Sequence, residues 1–172
     1  MFIKAIPLAL LGIFAVAVNP SVAREYYIGG PVQQNDMEIV ANYLVGVEMS
    51  PMHNDMVHGP DVIHLEADVH ATADNVYGFP DGAWIPGLTI TYSLVKIDTD
   101  WRASGALLPM LAKDGPHYAN NIKMNGPGKY KLTYRFVSPE STGFLRHVDK
   151  ETGVPEWWSA FSEDFTFSYP QK

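Results

Sequence analysis

The chain has 172 residues, with 19 Asp and Glu against 12 Lys and Arg, a formal net charge of -7 and no cysteine. The acidic balance argues against nucleic acid or an anionic membrane surface as partner and is compatible with attracting cations. Without cysteine, disulfides, thiolate-ligated zinc or blue-copper centres and a cysteine nucleophile are all excluded.

The first residues read as an export signal: Lys4 supplies the charged start, Ala5 to Val18 the apolar run and Ser21-Val22-Ala23 a small-residue cleavage site. Cleavage after Ala23 is expected, leaving residues 24–172 as a single domain. The apolar run falls short of the roughly 20 residues that a membrane helix needs, and no later segment is apolar enough, so no membrane span is expected once the signal is removed. Loss of Lys4 leaves the mature chain more negative by a single charge.

Arg24 to Asn35, with Gly29, Gly30 and Pro31, reads as a lead-in loop. Met37 to Val47 is a β-type run of mixed period. A loop follows that gathers Met49, Met52, His53, Met56 and His58 among Pro, Gly and Asn. Ile63 to His70 then alternates cleanly: Ile63, Leu65, Ala67 and Val69 share one face, and His64, Glu66, Asp68 and His70 the other. Asp74 to Pro86 is a long turn, and Leu88 to Ile97 alternates again. Gly105 to Leu111 is a short apolar strand, and Ala112 to His117 a turn. Tyr130 to Val137 and Phe165 to Tyr169 are strands, joined by a long connection from Ser138 to Glu163 that carries His147, Trp157 and Trp158. About seven short strands, with many Gly and Pro, predict an all-β fold, an antiparallel β-sandwich.

Every side chain on the wet face of Ile63 to His70 can bind a metal ion, whereas a strand built only for solubility would show Lys, Thr or Ser there. Neighbours on that face are about 7 Å apart, so His64 and Glu66 can share an ion. His70, about 20 Å from His64, cannot join them and reads as structural. Met110 and His117 form a second group, a thioether and an imidazole suited to copper; the plainer reading makes Met110 a core residue. The loop with three Met and two His resembles Met motifs that collect Cu(I), or else packs its Met side chains on a sheet edge. Trp157 and Trp158 are expected to pack in the core rather than form a binding platform. There is no Gly-x-Ser-x-Gly elbow, phosphate loop or His-Glu-x-x-His motif.

Four segments, taken in order, are similar to one family: His64-Leu-Glu-Ala-Asp-Val-His70, Gly78-Phe-Pro, Met110 through Asp114-Gly-Pro-His117-Tyr118, and Gly143-Phe-Leu-Arg-His147-Val-Asp followed by Glu151-Thr-Gly. They resemble the periplasmic copper-binding iron-uptake proteins, which accompany an inner-membrane iron permease and include a treponemal lipoprotein antigen. The resemblance implies an immunoglobulin-like antiparallel β-sandwich that forms a homodimer with copper near the interface. It puts the copper ligands at His64, Met110, His117 and His147, with Glu66 beside them as a further ligand or a ligand for a second metal. His147 is expected to come from the partner subunit. The implied function is high-affinity iron acquisition in the periplasm, handing iron toward the permease, with copper as a structural or redox partner and iron at an adjacent site. No catalytic residue is assigned, although a copper-dependent iron redox step is chemically available. The rival expectation is a periplasmic copper chaperone or resistance protein without an iron role.

Overall fold

The computed structural model describes residues 24–51 and 56–171. The export signal, Met52 and His53 therefore lie outside the described residues. Eight strands are present among those described: β1 (Arg24–Gln34), β2 (Met37–Val45), β3 (Val62–Ala71), β4 (Thr89–Lys96), β5 (Arg102–Ala112), β6 (Gly115–Lys123), β7 (Gly128–Val137) and β8 (Phe161–Tyr169). A single 3-10 turn covers Pro139–Thr142. Among the described residues no helix is long and apolar enough to cross a membrane.

All pairings are antiparallel, and they link the strands into one sheet in the order β1-β2-β3-β6-β5-β4-β7-β8. The sheet turns at β5. Its first half, Arg102 to Leu107, pairs with β4, and its second half, Leu108 to Ala112, pairs with β6. Where β5 leaves β6, the Asn120 side chain donates to the Ala106 carbonyl at 2.8 Å, supplying a bond the ladder lacks there.

The sheet folds over so that its apolar faces meet. Ile39, Tyr43, Ile63, Leu65 and Val69 on one side pack into the same core as Ile90, Leu94, Leu132, Tyr134 and Phe136 on the other, all essentially inaccessible to solvent. Each buried aliphatic or Phe side chain contributes roughly 1.5–3 kcal/mol. The end strands come together: the Gln171 side chain donates to the Tyr27 carbonyl at 2.8 Å, and the ring of Phe165 sits against Gly29. The result is a nearly closed, barrel-like antiparallel sheet.

Two expectations need correction. Arg24 to Asn35 is not a loop: β1 pairs with β2 from Arg24 to Gln34, and its register shifts on either side of Gly29 absorb the Gly-Gly-Pro stretch as bulges in an end strand. Gly30 has φ 118°, and a Cβ there would meet the Ile39 carbonyl oxygen at 2.6 Å, so glycine is required. Ala112 to His117 is likewise not a turn throughout. Only Lys113 and Asp114 form the hairpin loop, and His117 lies inside β6, directly across from Met110.

Candidate metal centre

The alternation of β3 sends His64 and Glu66 away from the aliphatic core, yet neither is solvated: His64 is 3% and Glu66 8% exposed. Strand β6 lies beside β3, with His64 opposite Asn121 and Glu66 opposite Ala119. The same face of β6 carries His117, which is 6% exposed. Three chemically active side chains from two strands thus converge in a buried place.

Their atoms face one another. The Nε2 of His117 is 3.3 Å, and the Nε2 of His64 3.6 Å, from Oε1 of Glu66. One ligand atom from each of the three lies within 4.8 Å of the other two. The rings of His64 and His117 meet edge to face, with centroids 5.9 Å apart. His117 Nε2 is buried and has no hydrogen-bond partner. An orphaned buried imidazole nitrogen beside a carboxylate is costly in a metal-free protein. Ligands bound about 2.0–2.2 Å from a shared tetrahedral ion stand about 3.4 Å apart, so the observed separations fit a cation held among the three.

The electrostatics agree with that fit. Burial, reinforced by the charges of Asp68, Glu25 and Asp114, pushes the Glu66 carboxyl up to about 8. Burial also raises Asp68 and lowers His64, the latter opposed by its hydrogen bond to Asn121. A neutral imidazole is ready to bind metal, and a carboxyl that resists ionisation is one for which a cation substitutes for the proton. Beside the cluster opens a cavity of about 460 Å³ whose wall includes Glu25, Glu66, Asp68, His70, Asp114 and His117. Four carboxylates on one wall suit a hard cation.

The remaining predicted residues are distributed as follows. Met110 is half-buried and is the cross-strand partner of His117, on the same sheet face. His147 is 75% exposed and lies in the long connection, outside the buried cluster. Asp68 accepts from the Asn42 side chain at 3.1 Å, and His70 lines the cavity away from the cluster. Met56 is buried, His58 is exposed, and the Val57 carbonyl between them accepts from Asn121. Trp157 and Trp158 both pack on Tyr77, with ring centroids 5.0 and 5.1 Å apart, so they serve packing.

Sequence reasoning missed Asn121, Glu25 and Asp114. Asn121 falls on the His117 face at a spacing of four, a signal visible once Gly115 to Lys123 is read as a strand. Glu25 was hidden by the loop reading of β1.

An antiparallel β-protein that buries two imidazoles and a carboxyl group facing one another, beside an acidic cavity, is a β-domain with a candidate metal site. The chain belongs to the Fe2+ transport protein family, which matches residues 22–170. It is 44% identical over 151 residues to a UPF0423 protein of Brucella abortus, covering 86% of this chain and 82% of the relative. It is 31% identical over 155 residues to the 34 kDa membrane antigen of Treponema pallidum, covering 86% and 76%. Among solved structures, it resembles copper-reconstituted P19 of Campylobacter jejuni at 47% identity and TM-score 0.81, covering 86% of this chain and 97% of that one. It also resembles a copper-bound variant of FetP from uropathogenic Escherichia coli at 46% identity and TM-score 0.82, covering 86% and 98%.

Proposed function

We propose that this chain is a periplasmic copper-binding protein of high-affinity iron acquisition, which hands iron toward an inner-membrane permease with copper as a structural or redox partner. The observation that carries this reading is the buried convergence of His64, Glu66 and His117, with Met110 across from His117. Imidazole suits both oxidation states of copper and thioether favours the reduced one, while the carboxylates of the adjoining cavity suit iron. Copper-bound relatives at 46–47% identity support the metal, and the family supports the iron role. The signal peptide over residues 1–23, the single domain over 24–172 and the immunoglobulin-like sandwich class belong to the same proposal. FetP expressed in the periplasm is a structural neighbour, in keeping with that location.

The copper set in this reading is His64, Met110, His117 and His147, with Glu66 adjoining, and His147 is given by the partner subunit of a homodimer. Its support is the surface around these residues. Leu145 and Val148, flanking His147, are 90% and 76% exposed, and Leu111, next to Met110, is 79% exposed. Bare aliphatic side chains beside an unused ligand, and others beside an incomplete ligand set, complement each other across a two-fold axis.

The copper-chaperone alternative draws on the loop carrying Met49, Met56 and His58, whose Val57 carbonyl is tied to Asn121 at the site. A gene-deletion strain separates the two. Poor growth under iron limitation, rescued by the wild-type gene but not by a His117→Ala copy, is the expected result. Sensitivity to copper excess with normal growth on scarce iron would establish the chaperone instead.

A further inference from the structure

Two imidazoles of the proposed copper set have their ring protons dictated by neighbouring groups of this chain. His64 Nδ1 lies 2.7 Å from Asn121 Oδ1. The orientation of the Asn121 amide is fixed independently, because its Nδ2 donates to the Val57 carbonyl at 3.0 Å and a carbonyl only accepts. The oxygen of the amide therefore faces His64, and an amide oxygen requires a donor. The proton must sit on Nδ1, leaving the Nε2 lone pair aimed at Glu66.

His147 obeys the same logic on a different element. Its Nδ1 lies 2.7 Å from Thr152 Oγ1, and that hydroxyl lies 2.7 Å from Asp149 Oδ2. Thr152 has one hydroxyl proton and two possible uses for it. Donated to His147, it would leave two acceptor oxygens facing each other at 2.7 Å; donated to Asp149, it leaves a lone pair to accept from Nδ1–H. Asp149 also accepts the backbone N–H groups of Glu151 and Thr152, at 3.1 and 3.0 Å. Those bonds hold Asp149 as an ionised acceptor. The turn is closed by Gly153 N–H on the Asp149 carbonyl and Val154 N–H on the His147 carbonyl. An exposed side chain with no role beyond solvation gains little from so complete a frame.

We propose that Asn121 and the Asp149–Thr152 pair are positioning residues that hold His64 and His147 in the Nδ1–H tautomer, so that each presents Nε2 to the metal. For His147 this rests on its proposed ligand role. A tautomer fixed before the ion arrives removes a rearrangement from binding, and loss of such partners typically weakens metal affinity about 10–100-fold.

The test uses metal-free, full mature protein with 15N-labelled histidine, at a pH where the imidazoles are neutral. Long-range proton–nitrogen correlations report which ring nitrogen carries the proton. Wild type should show Nδ1–H at both His64 and His147. Thr152→Val should release His147 to the other tautomer and leave His64 unchanged, with Thr152→Ser restoring it. Asn121→Leu should release His64 while His147 keeps Nδ1–H, which shows that the fold is intact. An Nε2–H wild-type His147, or a His147 indifferent to Thr152→Val, would overturn the proposal for that pair; the same results at His64 would overturn it for Asn121. Copper titration then addresses the ligand role separately. Thr152→Val should bind about tenfold more weakly or worse, with Thr152→Ser restored. Tautomers that follow Thr152 while affinity stays constant uphold the positioning pair and remove His147 from the ligand set.

Discussion

The Nε2 of His117 stands 3.3 Å from Oε1 of Glu66, buried and without a hydrogen-bond partner. A buried imidazole nitrogen without a hydrogen-bond partner is costly, and a bound cation would satisfy it. Copper should therefore raise the thermal stability of the metal-stripped protein. At free copper 100-fold above Kd the gain is about 2.7 kcal/mol, or about 5–10 °C in Tm for a domain of this size. Scanning calorimetry with and without chelator measures it. His117→Ala should lose most of the shift, and a wild-type Tm that ignores copper would remove the buried cluster from consideration as the metal centre.

Metal uptake should also depend on pH in a defined direction. The Glu66 carboxyl is pushed up to about 8, chiefly by burial, so below that pH it carries a proton that an incoming cation must expel. Copper affinity should consequently rise toward pH 8 by up to about tenfold per unit and flatten above it. Burial lowers His64, which favours its neutral, metal-ready form. Titration in weak buffer should show proton release on copper addition. Glu66→Gln removes the group that titrates, and a slope unchanged in that variant would show that the proton comes from elsewhere.

The packing of β1 is testable at Gly29, where it meets β8, and at Gly30, where it meets β2. A Cβ on Gly29 would meet the Phe165 ring at 2.7 Å, and one on Gly30 would meet the Ile39 carbonyl at 2.6 Å from a backbone at φ 118°. The ring can shift and the carbonyl cannot, so Gly30→Ala should cost more than Gly29→Ala, about 1–3 kcal/mol by urea unfolding. Equal and negligible effects would mean that β1 is not packed as described.

The legibility of the sequence follows from where each strand's neighbours lie. Strand β3 was readable because one face meets an aliphatic core and the other carries the candidate metal ligands, so its alternation is unbroken from Ile63 to His70. Strand β6 was not, because it opens on Gly115-Pro116 and its middle holds Asn120 and Asn121, poor strand formers used for special duties. Asn120 bridges the point where β5 departs, and Asn121 holds His64. Strand β1 was obscured by Gly-Gly-Pro, which an end strand accommodates through bulges. At the site, His64 and Glu66 were visible from their shared face, and Met110 and His117 from a short spacing that proved to be a two-residue hairpin. The acidic cavity was not legible, since Glu25 and Asp114 reach it from strands and loops remote in sequence.

The last prediction concerns the exposed aliphatic side chains around His147. Leu145 is 90% and Val148 76% exposed, the latter on the turn framed by the Asp149 and Thr152 hydrogen bonds. In the proposed homodimer they would be covered, so a charge at either position pays desolvation on association while leaving the isolated fold untouched. Leu145→Asp and Val148→Asp should each shift sedimentation from dimer toward monomer at micromolar protein, with Tm at low concentration unchanged. Because copper in this reading takes His147 from the partner subunit, copper should draw the variants back toward dimer, and dimer dissociation should weaken copper binding by the same factor. His147→Ala keeps the aliphatic surface and removes only the ligand, so it should dimerise without copper and lose the copper-driven gain. Variants that remain dimers would show that Leu145 and Val148 lie outside the interface, and a monomer that binds copper as tightly as wild type would show that the buried cluster completes its coordination within one chain.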